Sequence, residues 1–420
     1  MKNKIFTFLF LLFIVFSFDN DYCSGQWVRT TGTIPGGILS LTANGTTMFA
    51  GSFYNGVYRS TNNCATWVQT SLNALDIYAL ASNAGTIFAG TDTSVCMSTN
   101  NGQSWYVPNI QYGSGTCRSF AVSGTNVYAA DDNGVDRSTN NGVNWISSTY
   151  HNNGWEVAAN GQYVFVGDIN TFVSRSTNYG QNWSQTSFSN PYYVGSIAIN
   201  GTTIFVGTGG KGIYRSTNNG LNWVQTSLNN QIVNTMVASG NNIIAGADFN
   251  GVNTSGIYVS NDNGQTWGLR NEGLNMEGFA INAMIIANGN IYIGGNRSGS
   301  NSDSVWMRPL SQVIGIKNIS SNVPDKFSLS QNYPNPFNPS TIIKFEIPNS
   351  ENGKWKKENG LVILKVYSVS GKEVAILVNE KLNGGSYEVT FDASEYTSGV
   401  YYYRLKAGDY FETKKMMLIK

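Results

Sequence analysis

The sequence has little charge. Charged side chains make up 12% of its 420 residues, about half the usual share, and 26 Lys and Arg against 25 Asp and Glu leave a net charge of +1. This balance provides no electrostatic field that would concentrate nucleic acid or an anionic membrane at the surface. We therefore do not expect nucleic acid among the partners.

Histidine and cysteine are scarce. His151 is the single histidine, and no Cys/His spacing is typical of a metal site, so we predict neither a metal nor a cofactor. Cys64, Cys96 and Cys117 are an odd number beyond the N-terminal segment, which cannot form a complete internal disulfide framework. Cys96 and Cys117 either pair or are two small buried residues, and both alternatives stay open.

Glycine and aromatic residues are abundant instead. The chain has 46 Gly and 9 Pro spread along its length, which excludes a helical bundle. It also has 10 Trp, 23 Tyr and 21 Phe, enough for a large core, so the chain is not disordered. The composition favours an all-β protein.

The N-terminal segment combines a basic head with an apolar run. Lys2 and Lys4 precede Ile5–Phe18, which is short for a membrane span and resembles a secretory signal peptide. We predict that residues 1–25 are removed, Cys23 with them, and expect no transmembrane segment in the mature chain. A lipidated Cys23 is disfavoured, because the residues before it are not small and apolar.

One octet recurs six times through the middle of the chain, with its tryptophans 38 to 44 residues apart. Each repeat contains four short apolar segments separated by turn residues, which predicts four strands. The residues that we expect to shape the octets are Ser60, Asn62, Trp67, Ser98, Asn100, Gly102, Trp105, Ser138, Asn140, Gly142, Trp145, Ser176, Asn178, Gly180, Trp183, Ser216, Asn218, Gly220, Trp223, Ser260, Asp262, Gly264 and Trp267.

Four-stranded units of about forty residues are typical of propeller blades. The unit after Trp267 lacks an octet and a closing strand, whereas 26–30 matches the closing strands of the other units. We predict that the N-terminal strand completes the last blade. The result is a seven-bladed β-propeller over residues 26–310, whose closure is expected to remove exposed sheet edges. We also expect a monomer.

The octet resembles the Asp-box, or BNR, repeat of sialidase-like and sortilin-like propellers, Ser-x-Asp-x-Gly-x-x-Trp. The resemblance implies a turn between the third and fourth strands of a blade. Asn stands at the Asp position in five copies, and only Asp262 keeps the acid. Asn still makes the local bond to the backbone that shapes such a turn, which leaves the fold intact and argues against a charge-dependent role. Cys64 replaces the glycine of the first copy, where we expect strain.

A sialidase would also need arginines that converge on one carboxylate. Arginines do recur, but each directly precedes an octet, so we interpret them as structural. They are Arg59, Arg137, Arg175 and Arg215.

Composition changes after Pro309, and a second domain begins. We interpret 311–330 as a linker and 331–420 as a small Ig-like β-sandwich, because alternating apolar patterns such as 341–347 and 400–405 predict strands. Its motifs resemble those of the type A C-terminal sorting domain of the type IX secretion system. The residues that carry the resemblance are Pro334, Pro336, Gly371, Lys372, Gly399, Tyr401, Lys414 and Lys415.

This resemblance implies export to the cell surface or the medium. It also implies two partners, the outer-membrane translocon and a sortase-like peptidase that removes the domain. A plain adhesive Ig-like module is the alternative.

Candidate ligand-binding residues lie in the loops after the second and fourth strands, which share one face of a propeller. Acids in the first set of loops are suited to bind a cation or sugar hydroxyls, or are turn residues. Aromatic and charged residues in the second set are suited to carbohydrate, or pack between blades. The candidates are Asp92, Asp131, Asp132, Asp168, Asp248, Tyr150, Trp155, Tyr192, Arg270 and Glu272.

We therefore expect an exported propeller that binds a polysaccharide or a protein without chemistry. The alternative is a secreted glycoside hydrolase or another polysaccharide-acting enzyme, with a pair such as Asp132 and Glu156. No residue pattern selects a catalytic pair.

Overall fold

The computed structural model describes residues 26–108, 115–150, 152–169, 171–190, 192–240, 242–248, 255–314, 317–320, 324–348, 361–382, 384–393 and 396–420. The predicted signal peptide and His151 lie outside the described residues. The described part of the chain is almost entirely β-structure, with a single short helix.

The region up to Pro309 consists of antiparallel strands joined by tight turns. Their bounds are Val28–Pro35 (β1), Ile38–Asn44 (β2), Thr47–Ser52 (β3), Gly56–Ser60 (β4), Val68–Gln69 (β5), Ile77–Asn83 (β6), Thr86–Thr91 (β7), Val95–Ser98 (β8), Ser119–Ser123 (β9), Asn126–Asp131 (β10), Gly134–Ser138 (β11), Ile146–Ser147 (β12), Gly154–Asn160 (β13), Tyr163–Asp168 (β14), Phe172–Ser176 (β15), Ser184–Ser189 (β16), Val194–Asn200 (β17), Thr203–Thr208 (β18), Ile213–Ser216 (β19), Val224–Gln225 (β20), Ile232–Ser239 (β21), Asn242–Asp248 (β22), Gly256–Ser260 (β23), Gly268–Leu269 (β24), Phe279–Ala287 (β25), Asn290–Arg297 (β26) and Ser302–Pro309 (β27).

These strands form seven antiparallel sheets in the described residues. Six have four strands, and the sheet of β6, β7 and β8 has three, extended by an isolated bridge between Met97 and Tyr106. The first strand of each sheet packs against the first strand of the next, and β25 packs against β2, so the sheets close into a ring. Apolar clusters fill the seams between successive sheets.

The N-terminal strand belongs to the last sheet, in the order β1-β27-β26-β25. Val28 pairs with Met307 and Arg29 with Trp306. Beside this pairing, the Thr30 hydroxyl donates to the Val305 carbonyl at 2.8 Å. The two ends of the ring are thus hydrogen-bonded within one sheet.

The octets form one turn in six copies. In the fifth copy, the Gly220 amide donates to the Ser216 hydroxyl at 2.8 Å, and the Asn222 amide donates to the Asn218 side-chain oxygen at 3.0 Å. The other five copies make the same two bonds, with Cys64 donating in place of glycine in the first and Asp262 accepting in the last. The Asn for Asp replacement therefore keeps the turn.

Each octet also meets the preceding sheet. A Cβ on Gly220 would stand 2.8 Å from Phe165, and four other octet glycines meet an aromatic ring or Met97 of the preceding sheet in the same way. The four recurring arginines donate to an octet carbonyl of the following sheet, as Arg215 does to Asn263 at 2.9 Å. Their interpretation as structural residues is confirmed.

Cys64 lies at φ 65°, where the other octets have glycine at positive φ. It is fully buried, so the expected strain is present in a packed seam. Cys64, Cys96 and Cys117 are all buried free thiols.

The C-terminal region forms two further sheets. A helix, Leu310–Ile314 (α1), leads into Lys317–Ser320 (β28), Ser328–Leu329 (β29), Ser340–Ile347 (β30), Leu361–Ser368 (β31), Glu373–Lys381 (β32), Gly385–Asp392 (β33), Gly399–Ala407 (β34) and Tyr410–Leu418 (β35). The sheet orders are β28-β33-β30-β29 and β32-β31-β34-β35, and residues of both sheets share one buried cluster.

The segment interpreted as a linker contains secondary structure within its described residues. Val313 and Ile314 of α1 are buried against the last two sheets of the ring, and β28 pairs with β33. The apolar spacing of Leu310, Val313 and Ile314 explains this, because all three bury against the ring.

The sorting motif is anchored by buried polar contacts. The Asn332 amide group donates to the Pro334 carbonyl at 3.0 Å, and the Asn332 backbone donates to the Tyr403 hydroxyl at 2.8 Å. Lys414 lies on the last strand and pairs with Glu412 at 3.0 Å.

The fit between octet and preceding sheet gives a test of stability. Alanine at position 220 would adopt an unfavourable positive φ and its Cβ would also clash with the Phe165 ring. Alanine at position 201 would adopt a similar φ, 60°, but no atom lies within 4 Å of its Cβ. We expect Gly201→Ala to lower the free energy of unfolding by about 1 kcal/mol and Gly220→Ala by about 1–3 kcal/mol more. Equal losses in urea unfolding would contradict the seam contact.

Candidate functional site

The first strands of the seven sheets begin around one axial cavity. In six of them an extra residue interrupts the pairing with the second strand, and Arg118, just before β9, occupies the equivalent place. Such bulges redirect a side chain out of the sheet pattern. We call the seven residues at this position the mouth: Leu39, Tyr78, Arg118, Trp155, Gly195, Asn234 and Asn282.

All seven mouth residues line one cavity of about 450 Å³. Glu156 is the only carboxyl-bearing residue among the described residues that line it. The octets lie at the other end of the sheets, and the C-terminal region contacts that end through Ser239, whose hydroxyl donates to Asp392 at 3.3 Å. This described contact therefore lies away from the mouth.

Arg118 organises one side of the mouth. Its guanidinium donates to Asp132 through two nitrogens, at 3.1 and 3.2 Å, and the Thr116 backbone amide donates to the same carboxylate. The guanidinium carbon lies 4.4 Å from the Trp155 ring centre and 5.7 Å from that of Tyr78. Stacking on the guanidinium fixes the Trp155 face beside the cavity.

Amides and a half-buried acid, Asp248, organise the other side. The Tyr193 hydroxyl donates to the Asn234 side-chain oxygen at 3.2 Å, and the Asn234 nitrogen donates to Asp248 at 2.7 Å. Burial raises the pKa of Asp248, against hydrogen bonds from the Ile281 amide and Asn234. The Tyr193 ring also lies 6.0 Å from Trp155, which joins the two sides.

Glu156 follows Trp155 and lines the cavity. Desolvation raises the pKa of its carboxyl from 4.5 to about 8, although hydrogen bonds with Ser119 and the Ile197 backbone oppose the rise. Near neutral pH the side chain is mostly a protonated acid, which donates as well as accepts a hydrogen bond.

Three of the ten candidate residues lie at the mouth. Trp155 is a mouth residue, and Asp132 and Asp248 accept hydrogen bonds from the mouth residues Arg118 and Asn234. Asp131 and Asp168 lie on the same face but are buried and accept bonds from nearby amides, Asn133 at 2.7 Å and Phe172 at 2.9 Å. These two acids shape their turns.

Other candidates lie away from the cavity. Tyr150 is buried in a seam and packs on Trp183, with ring centres 5.3 Å apart. Arg270 and Glu272 belong to the ring closure, where their carbonyls accept from the indole and the backbone amide of Trp27, both at 2.7 Å. Glu272 also pairs with Arg308 at 2.8 Å. Asp92 and Tyr192 are exposed and do not line the axial cavity.

Sequence reasoning missed four of the five polar or aromatic mouth residues. It compared the loops between strands, whereas the mouth residues occupy one equivalent position at the start of the first strand of each sheet. Alignment of the residues after Ile77, Cys117, Val233 and Ile281 would have found Tyr78, Arg118, Asn234 and Asn282. No group of three or more metal-ligating side chains occurs within the described residues.

Similar solved structures are β-propellers. YCF48 from Cyanidioschyzon merolae has a TM-score of 0.53 at 11% identity, over 67% of this chain and 98% of that one, and YCF48 bound to a D1 peptide has 0.53 at 12%, over 67% and 95%. An ancestral GH74 enzyme has 0.51 at 16%, over 93% of this chain and 63% of that one. At these identities the likeness shows the fold alone. No curated protein matches the sequence.

The C-terminal region has a family match. Residues 331–420 match the model described as a secretion system C-terminal sorting domain. No described helix is long and apolar enough to cross a membrane. The chain thus joins a β-propeller to a type IX secretion system sorting domain, and the protein is exported to the cell surface or the extracellular space.

Proposed function

We propose that this protein is an exported, non-catalytic binding module whose ligand enters the axial cavity. The observation that carries the proposal is the mouth, where each of the seven sheets places one residue, bulged in six of them, around one opening. The ligand is a polysaccharide or a protein segment. In a narrow cavity, aromatic faces and amides recognise either by stacking and hydrogen bonds.

We further propose the finer architecture. The seven sheets are the blades of one Asp-box propeller over 26–310, and 331–420 is an Ig-like type A sorting domain that follows the segment 311–330. Residues 1–25 are the signal peptide. The six identical octet turns and the β1 to β27 pairing support this assignment.

The charges at the mouth favour a ligand with little net charge. Arg118 is neutralised by Asp132, and Glu156 is mostly protonated near neutral pH because of its raised pKa. The Asn234 and Asn282 amides line the cavity, and beyond their internal bonds they keep hydrogen-bonding capacity for hydroxyls or peptides. The solved structure of YCF48 bound to a D1 peptide supports a binding role, because it is a propeller of similar fold that holds a peptide.

In this proposal the C-terminal domain is the sorting signal for export. It is recognised by the outer-membrane translocon and removed by a sortase-like peptidase. The ring acts as a monomer without a cofactor or nucleic acid. In four of its seven sheets the outermost strand is only two residues long, so these sheets offer a second copy little edge to pair with.

A polysaccharide-degrading enzyme is the second candidate. Glu156 favours it, since a carboxyl with a pKa of about 8 is suited to act as a general acid. The GH74 neighbour is an enzyme with a similar fold. Hydrolysis usually needs a second carboxylate, and Asp132 is held by Arg118. Release of reducing ends that Glu156→Gln abolishes would favour this candidate.

Trp155 tests the proposed site. We expect Trp155→Ala to weaken binding to the ligands found on a glycan array and a peptide library by tenfold or more, because the stacking face at the mouth is lost. The matched control is Tyr179→Asn, which removes an exposed aromatic ring at the octet end and restores the residue of the other octets. Equal affinity of Trp155→Ala and the parent would refute the site.

Glu156 gives a pH test. Its folded pKa of about 8 lies above its ordinary 4.5, so its contribution to stability is present below about pH 4.5 and is lost as the pH rises toward 8. We expect the parent to lose thermal stability relative to Glu156→Gln across this range, by at most about 1.4 kcal/mol per pH unit.

Exposed Asp92 provides the control. Asp92→Asn is expected to keep the pH dependence of the parent. A Glu156→Gln variant whose pH profile parallels that of the parent would contradict the raised pKa.

A further inference from the structure

Two aromatic residues lie next to the mouth, on the same face of the ring. Phe53 and Tyr54 follow β3 directly, with ring centres 3.9 Å apart, and Tyr54 is 68% exposed. Large exposed aromatic side chains are costly to leave in water. The pair is therefore an unexplained feature of this face.

A groove lies beside this pair, between the last sheet and the first. It has a volume of about 720 Å³ and is lined by Phe53, Tyr54 and Asn55 on one side and by Asn296, Arg297 and Asn301 on the other. We call it the seam groove. Two mouth residues, Leu39 and Asn282, line both the seam groove and the axial cavity, so the two spaces adjoin.

Tyr54 is held in place by a contact that reaches the mouth. Its backbone lies at φ 62°, which is rare for a bulky residue, and its amide donates to one Asp76 oxygen at 2.6 Å. The other Asp76 oxygen accepts from the hydroxyl of the mouth residue Tyr78 at 3.2 Å. The rim ring is thus positioned by the same carboxylate that positions a side chain of the mouth.

The seam groove has one charged side chain among its described lining residues. None of its described lining residues carries a carboxylate. Its one cation, Arg297, donates to the backbone carbonyls of Glu277 at 2.7 Å and Asn275 at 2.9 Å. What remains are side-chain amides, hydroxyls and glycine backbone beside an aromatic pair.

From this geometry we propose that the seam groove is a second subsite, which takes an uncharged oligosaccharide chain that continues out of the axial cavity. The C–H face of one sugar lies on the Tyr54 ring, and its hydroxyls meet amides such as Asn296 and Asn301, which donate and accept. This inference rests on the proposed function and narrows its ligand to a neutral glycan.

The experiment compares chain lengths. Neutral β-1,4-linked gluco-, xylo- and manno-oligosaccharides of about two to six units are titrated into the exported protein by calorimetry. We expect the affinity of the parent to rise with chain length. In Tyr54→Gly, which removes the ring and relaxes the positive φ, the rise should stop at a shorter chain, with a loss of about tenfold for the longest sugars only.

Two controls separate the causes. Tyr54→Phe keeps the ring and should keep the length dependence, whereas Trp155→Ala should weaken short and long chains alike. An unchanged length dependence in Tyr54→Gly would overturn the subsite while leaving the mouth intact.

The choice of ligand class is tested by the same titrations. If the parent binds none of these sugars but binds a peptide in a Trp155-dependent way, the glycan subsite is wrong and the proposed function stands. If nothing binds in a Trp155-dependent way, both are wrong.

Discussion

The pairing of β1 with β27 is the contact on which the rest of the ring depends. It places Val28 opposite Met307, at opposite ends of the ring sequence, and so requires the sheets between them to close around an axis. Closure brings the seven first strands together, since β25 packs on β2. Without it the mouth would be seven unrelated strand ends, because no single sheet contributes more than one mouth residue.

The octets determine how successive sheets fit. In each octet turn, Ser and Asn side chains accept the backbone N–H groups that have no strand partner. The tight turn lets the octet glycine approach a side chain of the preceding sheet, as Gly220 approaches Phe165. Because this geometry repeats with the period of the sequence, the repeat, the strand order and the structural role of Arg215 and its equivalents were predictable. The sorting domain was predictable for the same reason, since its motifs are local.

The mouth was not predictable in the same way. Whether Asp132 binds a ligand or Arg118 depends on where the fold places Arg118, just before β9, and the pattern of apolar residues does not report this contact. Likewise, Arg270 and Glu272 look like free loop charges until closure brings Trp27 against them. Long-range contacts decide such roles, and no local spacing carries them.

Hydrogen exchange at β1 tests ring closure most directly. In the exported protein, the paired amides of Val28–Pro35 should exchange as slowly as those of Ser302–Pro309, because both open only when the last sheet opens. Fast exchange of Val28–Pro35 while β27 and the other sheets stay protected would contradict the closed ring and, with it, the mouth.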